Sequence, residues 1–383
     1  MAVIRFKIYL LLVIMVVLPG ATQAAVVPED RTDILYHSYD GGGITIDGPS
    51  ILVRKGDKKS YSVFGQYYVD SISSASIDVE VSGASRYTEE RTEKSVGVDY
   101  VRDKTTMSFS HTTSSENDYE AKSYNIGVSQ DMFGDLTTIS LGYSQGDDII
   151  RATGNDSFEE TASRKNYRLG ITQVLTRDLI MSFSHETVSD QGYLQNPYRQ
   201  QRYIVDINAP TLEYTFGPEI YPNTRTSTAN AIRAKYYLPY RAAIHFEYRD
   251  FEDDWGIDAT QTEIGYTHPF GEEWIFEVHL RNYEQSSADF YRDLFLSPTE
   301  LNFMARDKEL SDYTTSTIGF GVSYEFAKNG YGFIDKGSAN LFYDRIQFDY
   351  NNFSDLRGLP AIGEEPLYSF SANVIRLFVS LWY

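Results

Sequence analysis

"TTISLGYSQ" (137–145) sets Ile139, Leu141 and Tyr143 on one side of an extended chain and Thr138, Ser140, Gly142 and Ser144 on the other. Successive side chains of a strand point to opposite faces, so this is a strand with one apolar face and one small, hydroxylated face. "TTMSFSHTT" (105–113) repeats the design, with Met107 and Phe109 against Ser108 and Ser110. A face of Ser, Thr and Gly suits a wet lumen rather than the dry interior of a sandwich. Helical three-and-four spacing is hard to find beyond residue 60.

An apolar–Gly–apolar triplet overlays this rhythm at Val96-Gly97-Val98, Ile126-Gly127-Val128, Leu169-Gly170-Ile171, Ile264-Gly265-Tyr266 and Ile318-Gly319-Phe320. Each glycine falls on the inward face, where a missing side chain lets the strand bend or lets something pack against it. The pentad "MSFSH" occurs at 107–111 and again at 181–185, each copy just after a short polar turn. Neighbouring Ser and His on a strand point to opposite faces, so Ser110-His111 and Ser184-His185 cannot pair as nucleophile and base. The repeat is structural.

Connections alternate between tight turns, such as Arg102-Asp103-Lys104 and Gly271-Glu272-Glu273, and long polar stretches near 72–90, 146–162, 190–225, 286–311 and 350–366. The predicted fold is all-β: a transmembrane antiparallel up-and-down barrel with short periplasmic turns and long extracellular loops. Fourteen strands are expected, from 61–71 to 369–383. Sixteen is the alternative, reached if "SILVRK" (50–55) forms a hairpin with the first of them. Residues 25–60, with Gly41-Gly42-Gly43 and Gly48-Pro49, are expected instead to form a periplasmic, plug-like segment, and 61–383 the barrel.

Residues 1–24 read as a cleaved signal: Arg5 and Lys7 precede the apolar run Ile8–Leu18, which is too short to span a bilayer, and a small-residue site ends at Ala24. No later run is apolar enough for a membrane helix, so an exported chain that spans a membrane must close a barrel. The final strand carries Ile375, Leu377, Val379, Leu381 and Tyr383 on one face and ends on an aromatic. Leu377, Val379, Leu381 and Tyr383 are the expected signal to the barrel-assembly machinery. The chain of 383 residues contains no cysteine and carries a formal charge of −20. Disulfides and thiolate metal sites are excluded, and nucleic acid is an unfavourable partner.

Several blocks go beyond generic barrel patterning: "GGGITIDGPSILVRK" (41–55), "RTEKSVGVDYVRDKTTMS" (91–108), "YYLPYRAAIHFEYRDFEDDWGI" (236–257), "FMARDKELS" (303–311) and "EPLYSFSANVIRLFVSLWY" (365–383). Together they resemble the bacterial family of exported barrels known as domain of unknown function 3570. The resemblance spans nearly the whole chain past the leader. It implies the outer membrane of a Gram-negative bacterium, with outer-membrane lipid and lipopolysaccharide as surroundings. It brings no catalytic residue and no cofactor.

The strongest polar constellation faces inward. His245, Glu247 and Arg249 alternate with Ile244, Phe246 and Tyr248, and Glu277, His279 and Arg281 alternate with Phe276, Val278 and Leu280. Glu263 lies on the strand between, and Arg233 and Lys235 on the strand before. Such a wall is either a charged constriction that selects ions or a salt-bridge lattice that stiffens the lumen. Acidic loop clusters, among them Glu89-Glu90 and Glu116/Asp118, would bridge divalent cations to lipopolysaccharide or simply be solvated. The segment 190–225 is too long for a passive turn and folds either inward as a constriction or outward as a lid. A pore for small solutes is the leading expectation, gated by the N-terminal segment or by 190–225. A non-conducting scaffold for a periplasmic partner comes second, and an outer-membrane hydrolase third, since no motif joins a nucleophile to a base.

Overall fold

A computed structural model describes residues 25–74 and 87–383; the expected signal segment lies outside the described residues. The strands are β1 (Arg31–Gly41), β2 (Ile44–Gly56), β3 (Tyr61–Ser74), β4 (Tyr87–Arg102), β5 (Thr105–Ser115), β6 (Tyr119–Met132), β7 (Thr137–Ala152), β8 (Asn155–Val174) and β9 (Leu179–Gly192). There follow the short β10 (Gln200–Ile204) and β11 (Tyr214–Pro218), then β12 (Thr224–Tyr237), β13 (Ala243–Asp253), β14 (Asp258–Phe270), β15 (Trp274–Gln285), β16 (Tyr313–Phe326), β17 (Lys336–Ser354) and β18 (Leu367–Trp382). All but β10 and β11 form one closed antiparallel barrel in chain order, shut where β1 pairs with β18. β10 and β11 make a separate hairpin.

The wall therefore has sixteen strands, not fourteen, and residues 31–56 belong to it rather than plugging it. Two features hid these strands. β1 carries apolar or aromatic side chains on both faces (Ile34 and Tyr36 outward, Leu35 and Tyr39 inward), which blurs the alternation. β2 contains Gly48-Pro49, the usual mark of a break. Gly48 is needed there because a side chain would run into the Val69 carbonyl. Gly42 and Gly43 have φ of +60° and +79°, the primed-turn geometry of a two-residue hairpin, so the glycine run is the β1–β2 turn. The long connection expected at 146–162 is also strand: β7 and β8 continue until only two residues separate them. Their charges pair across strands, Arg151 with Glu120 and Glu159 at 3.0 Å each.

Burial is inverted relative to a water-soluble protein. Ile34, Leu141 and Phe320 are 48%, 54% and 50% exposed, whereas Ser62 and Asp344 on the opposite face are 0% and 8% exposed. An apolar belt all round a closed sheet, with no unpaired edge, is the arrangement a bilayer demands. No described helix is long and apolar enough to cross a membrane, so crossing falls to the strands. Both "MSFSH" histidines lie on the outward face: His111 bonds the Ser123 carbonyl and stacks on Tyr124, and His185 bonds Asn230.

The five triplet glycines do one job. Each sits beside an inward side chain of a neighbouring strand that a Cβ would strike: Gly97 beside Phe64, Gly127 beside Ser108, Gly170 beside Ser140, Gly265 beside His245, and Gly319 beside His279 and Asp344. Absent side chains thus let neighbours lie flat on the wall and keep the lumen wide. Gly319→Val should cost about 1–3 kcal/mol by overpacking. Gly65→Val, where a Cβ meets nothing within 4 Å, should be close to neutral. Urea unfolding of protein refolded in lipid checks the pair.

Candidate functional site: a capped lumen

The wall comes first. Arg233 pairs with Glu247, and Arg249 Nη2 lies 3.6 Å from Glu186. Arg281 Nε donates to Glu263 Oε2 at 2.7 Å, and His245 Nε2 lies 3.3 Å from Glu263 Oε1. Arg376 Nη2 donates to Asp344 Oδ2 at 2.8 Å, with His279 Nε2 3.3 Å from Asp344 Oδ1. Seven of the nine residues singled out in the sequence are joined this way, through partners (Glu186, Asp344, Arg376) that the sequence did not offer. Lys235 and Glu277 make no ion pair with any described residue. Cross-strand register explains the pairing: Arg233 stands opposite Glu247, and Glu263 opposite both Glu247 and Arg281. The wall charges thus form a chain of cross-strand ion pairs.

The long connections on the rim opposite the tight turns supply the second part. Residues 193–223, 286–312 and 355–366 pack together in the mouth of the barrel. Phe290, Tyr291, Ala305 and Leu310 form a buried cluster with Trp255, Tyr350, Phe353 and Tyr368, and Phe251, Tyr313, Phe348 and Phe370 pack against it. Phe251, Tyr313, Phe348, Tyr350, Tyr368 and Phe370 are inward residues of β13, β16, β17 and β18, so the connections dock on that side of the barrel. Trp255 meets Phe290 edge-to-face at 5.2 Å and Tyr221 at 5.6 Å. The cap also reaches the far rim, where Tyr198 Oη accepts from Thr153 N at 2.7 Å and bonds Asp118.

Two charged groups hold the cap together from inside. Arg202 is fully buried; its Nη2 donates to Glu365 Oε1 at 2.5 Å, Nη1 lies 3.6 Å from Asp293 Oδ2, and its guanidinium stacks 3.9 Å over the Tyr214 ring. It links all three connections. Glu219, equally buried, accepts from Arg306 N at 2.7 Å and bonds Tyr221 Oη at 2.7 Å. Burial, and next the negative charge of Asp307, push the Glu219 carboxyl up to about 7. Burial likewise raises Asp307, against the pull of Arg199. Neither Arg202 nor Glu219 stood out in the sequence, where both read as ordinary loop charges.

Beneath the cap lies a cavity of about 430 Å³, bounded by Arg164, Arg225, Arg249, Tyr283 and Gln261 of the wall and by Tyr221, Asp307 and Glu309 above. Its arginines are paired: Arg164 Nε donates to Asp190 at 2.6 Å, and Arg225 Nε to Asp253 at 2.7 Å. Glu89, Glu116 and Asp118, from the acidic clusters of the sequence, come together at the outer rim.

A closed barrel with an apolar belt, a polar lumen and a loop cap defines an integral protein of the bacterial outer membrane. The chain belongs to the family described as Protein of unknown function (DUF3570), which matches residues 16–333. No curated protein matches it. Among solved structures it is similar to a bacterial polysaccharide outer membrane secretin (6% identity, 93% of this chain and 99% of that one, TM-score 0.48). It is similar too to the siderophore receptor PirA from Pseudomonas aeruginosa (9% identity, 87% of this chain, TM-score 0.45), of whose length it spans 60%. A third is OmpT, an outer membrane protein of Vibrio cholerae (9% identity, 96% of this chain and 100% of that one, TM-score 0.41). At these scores the likenesses say nothing of solute or partner.

Proposed function

We propose that the protein is a channel for small hydrophilic solutes, with the tight turns in the periplasm and the cap over the outer mouth. The observation that carries this is the lumen. Sixteen strands enclose enough space for an aqueous passage, and the triplet glycines flatten the side chains that would otherwise fill it. Paired charges on the wall keep the passage wet without fixing a strong net field, which favours neutral or dipolar solutes over ions. A lumen filled by residues 26–60 would favour the scaffold reading, and residues 31–56 lie in the wall instead. The 190–225 segment takes the lid role as part of a three-connection cap. Leu377, Val379, Leu381 and Tyr383, at the β1–β18 seam, serve as the signal for barrel assembly.

Proteoliposome swelling tests the channel. Vesicles containing the protein should take up small neutral sugars faster than empty vesicles, with the rate falling as solute size grows. Equal rates with folded protein would refute it.

A further inference from the structure

Two carboxylates from different connections meet at one hydroxyl inside the cap. Tyr221 Oη lies 2.7 Å from Glu219 Oε2 and 3.2 Å from Asp307 Oδ2. A phenol has one hydrogen to donate, so with both carboxylates ionised it can satisfy only one of them. One added proton completes the row: Glu219 O–H donates to Tyr221 Oη, whose own hydrogen donates to Asp307 Oδ2. The other oxygens are already engaged. Glu219 Oε1 accepts from Arg306 N at 2.7 Å, and Asp307 Oδ1 accepts from Arg199 Nη1 at 2.6 Å and from Glu309 N at 2.9 Å. Glu219 is 1% and Asp307 8% exposed, so bulk water is a poor source of the missing donor.

We propose that a proton shared through Glu219, Tyr221 and Asp307 latches the cap, so that the mouth is closed in mild acid and opens as the pH rises. This regulation rests on the channel reading. Glu219 and Tyr221 lie between β11 and β12 and Asp307 between β15 and β16, so the proton joins two of the three connections that cover the mouth.

The charged neighbours leave the pair in need of that proton. Arg199, on the same connection as Glu219, faces Asp307 and Glu309. From the Asp307 side come Lys308, Arg306, which faces Asp293, and Tyr291. From the wall, Arg225 stacks on Trp255 and faces Asp253, while Arg249 and Tyr283 line the cavity below. Thus Arg306 and Arg225 each already face another carboxylate, and Arg199 is shared between Asp307 and Glu309.

The sign follows from linkage. The docked cap raises the Glu219 carboxyl from 4.5 to about 7, and release into water returns it to its ordinary value. The docked state therefore binds the proton more tightly. Docking is strongest below the ordinary value, weakens as the pH climbs towards that of the docked state, and levels off above it.

Trp255, 5% exposed and in contact with Tyr221, reports on docking. In a Trp274→Phe/Trp382→Phe background it is the one remaining tryptophan of three, and acrylamide quenching follows its exposure. Each variant is first shown to be a folded barrel by its altered migration, unboiled, on a detergent gel. Quenching should rise several-fold from about pH 5 to about pH 8, with channel conductance rising in parallel. Glu219→Gln keeps an N–H donor without a titrating proton and should stay protected throughout. Tyr221→Phe removes the bridge and should be quenched throughout. A Glu219→Gln variant with the parental pH response, or a parent whose Trp255 is equally protected over the whole range, would overturn the latch. Quenching that switches while bilayers stay silent at every pH would support the latch and refute the channel.

Discussion

Arg202→Met should release the cap while leaving the barrel folded. The methionine keeps much of the side chain's bulk but removes the charge, leaving the Glu365 carboxylate buried beside it, while Asp293 keeps its pairing with Arg306. Removing one partner of a buried pair costs about 3–5 kcal/mol, because the other charge is left uncompensated. That cost falls on the docking of the three connections, whereas the backbone bonding of sixteen strands is untouched. The expected result is rapid trypsin cleavage within 193–223 and a variant that still migrates as a folded barrel. Adding Glu365→Gln should restore part of the protection, since it removes the stranded charge. Unchanged protease resistance in Arg202→Met would show that the aromatic cluster alone holds the cap.

Met107→Lys should be far more damaging than Ser108→Lys, though the positions are adjacent. Met107 stands on the outward face between Tyr100 and Val128, in the belt that meets lipid. A lysine there costs about 2–4 kcal/mol near mid-bilayer. Ser108 faces the lumen, opposite Asp99, and a lysine in its place has water and a carboxylate within reach. Yields of heat-modifiable barrel after refolding into vesicles should fall sharply for the first and little for the second. Equal losses would mean that the faces are assigned wrongly.

The barrel was legible because its strands obey two solvents at once. Where one face meets lipid and the other water, as at Ile139, Leu141 and Tyr143 against Ser140 and Gly142, alternation is unavoidable. It failed where that division is relaxed. β1 packs Leu35 and Tyr39 inward, and β2 tolerates Gly48-Pro49, so both resembled an irregular plug. The ends of β7 and β8 nearest their shared turn carry charge on both faces, and Asp147, Asp148, Glu159 and Glu160 mimicked a loop. The charged wall was readable residue by residue, but its partners were set by cross-strand register, which places Asp344 and Arg376 beside a histidine far away in sequence. The cap was least legible of all. Its length showed in 190–225, but burial of Arg202 and Glu219 depends on three distant connections meeting, and no local pattern marks a loop charge as buried.

Single-channel recording in a planar bilayer tests the central claim most directly. It compares the intact protein with a variant in which Leu194–Tyr221 is replaced by a short Gly-Ser turn. The ends can be bridged because Gly192 N already donates to the Asn223 carbonyl at 2.8 Å. A capped channel predicts small or infrequent steps from the intact protein and large, long-lived steps from the shortened one. Silence from both, in protein shown to be folded, would contradict it.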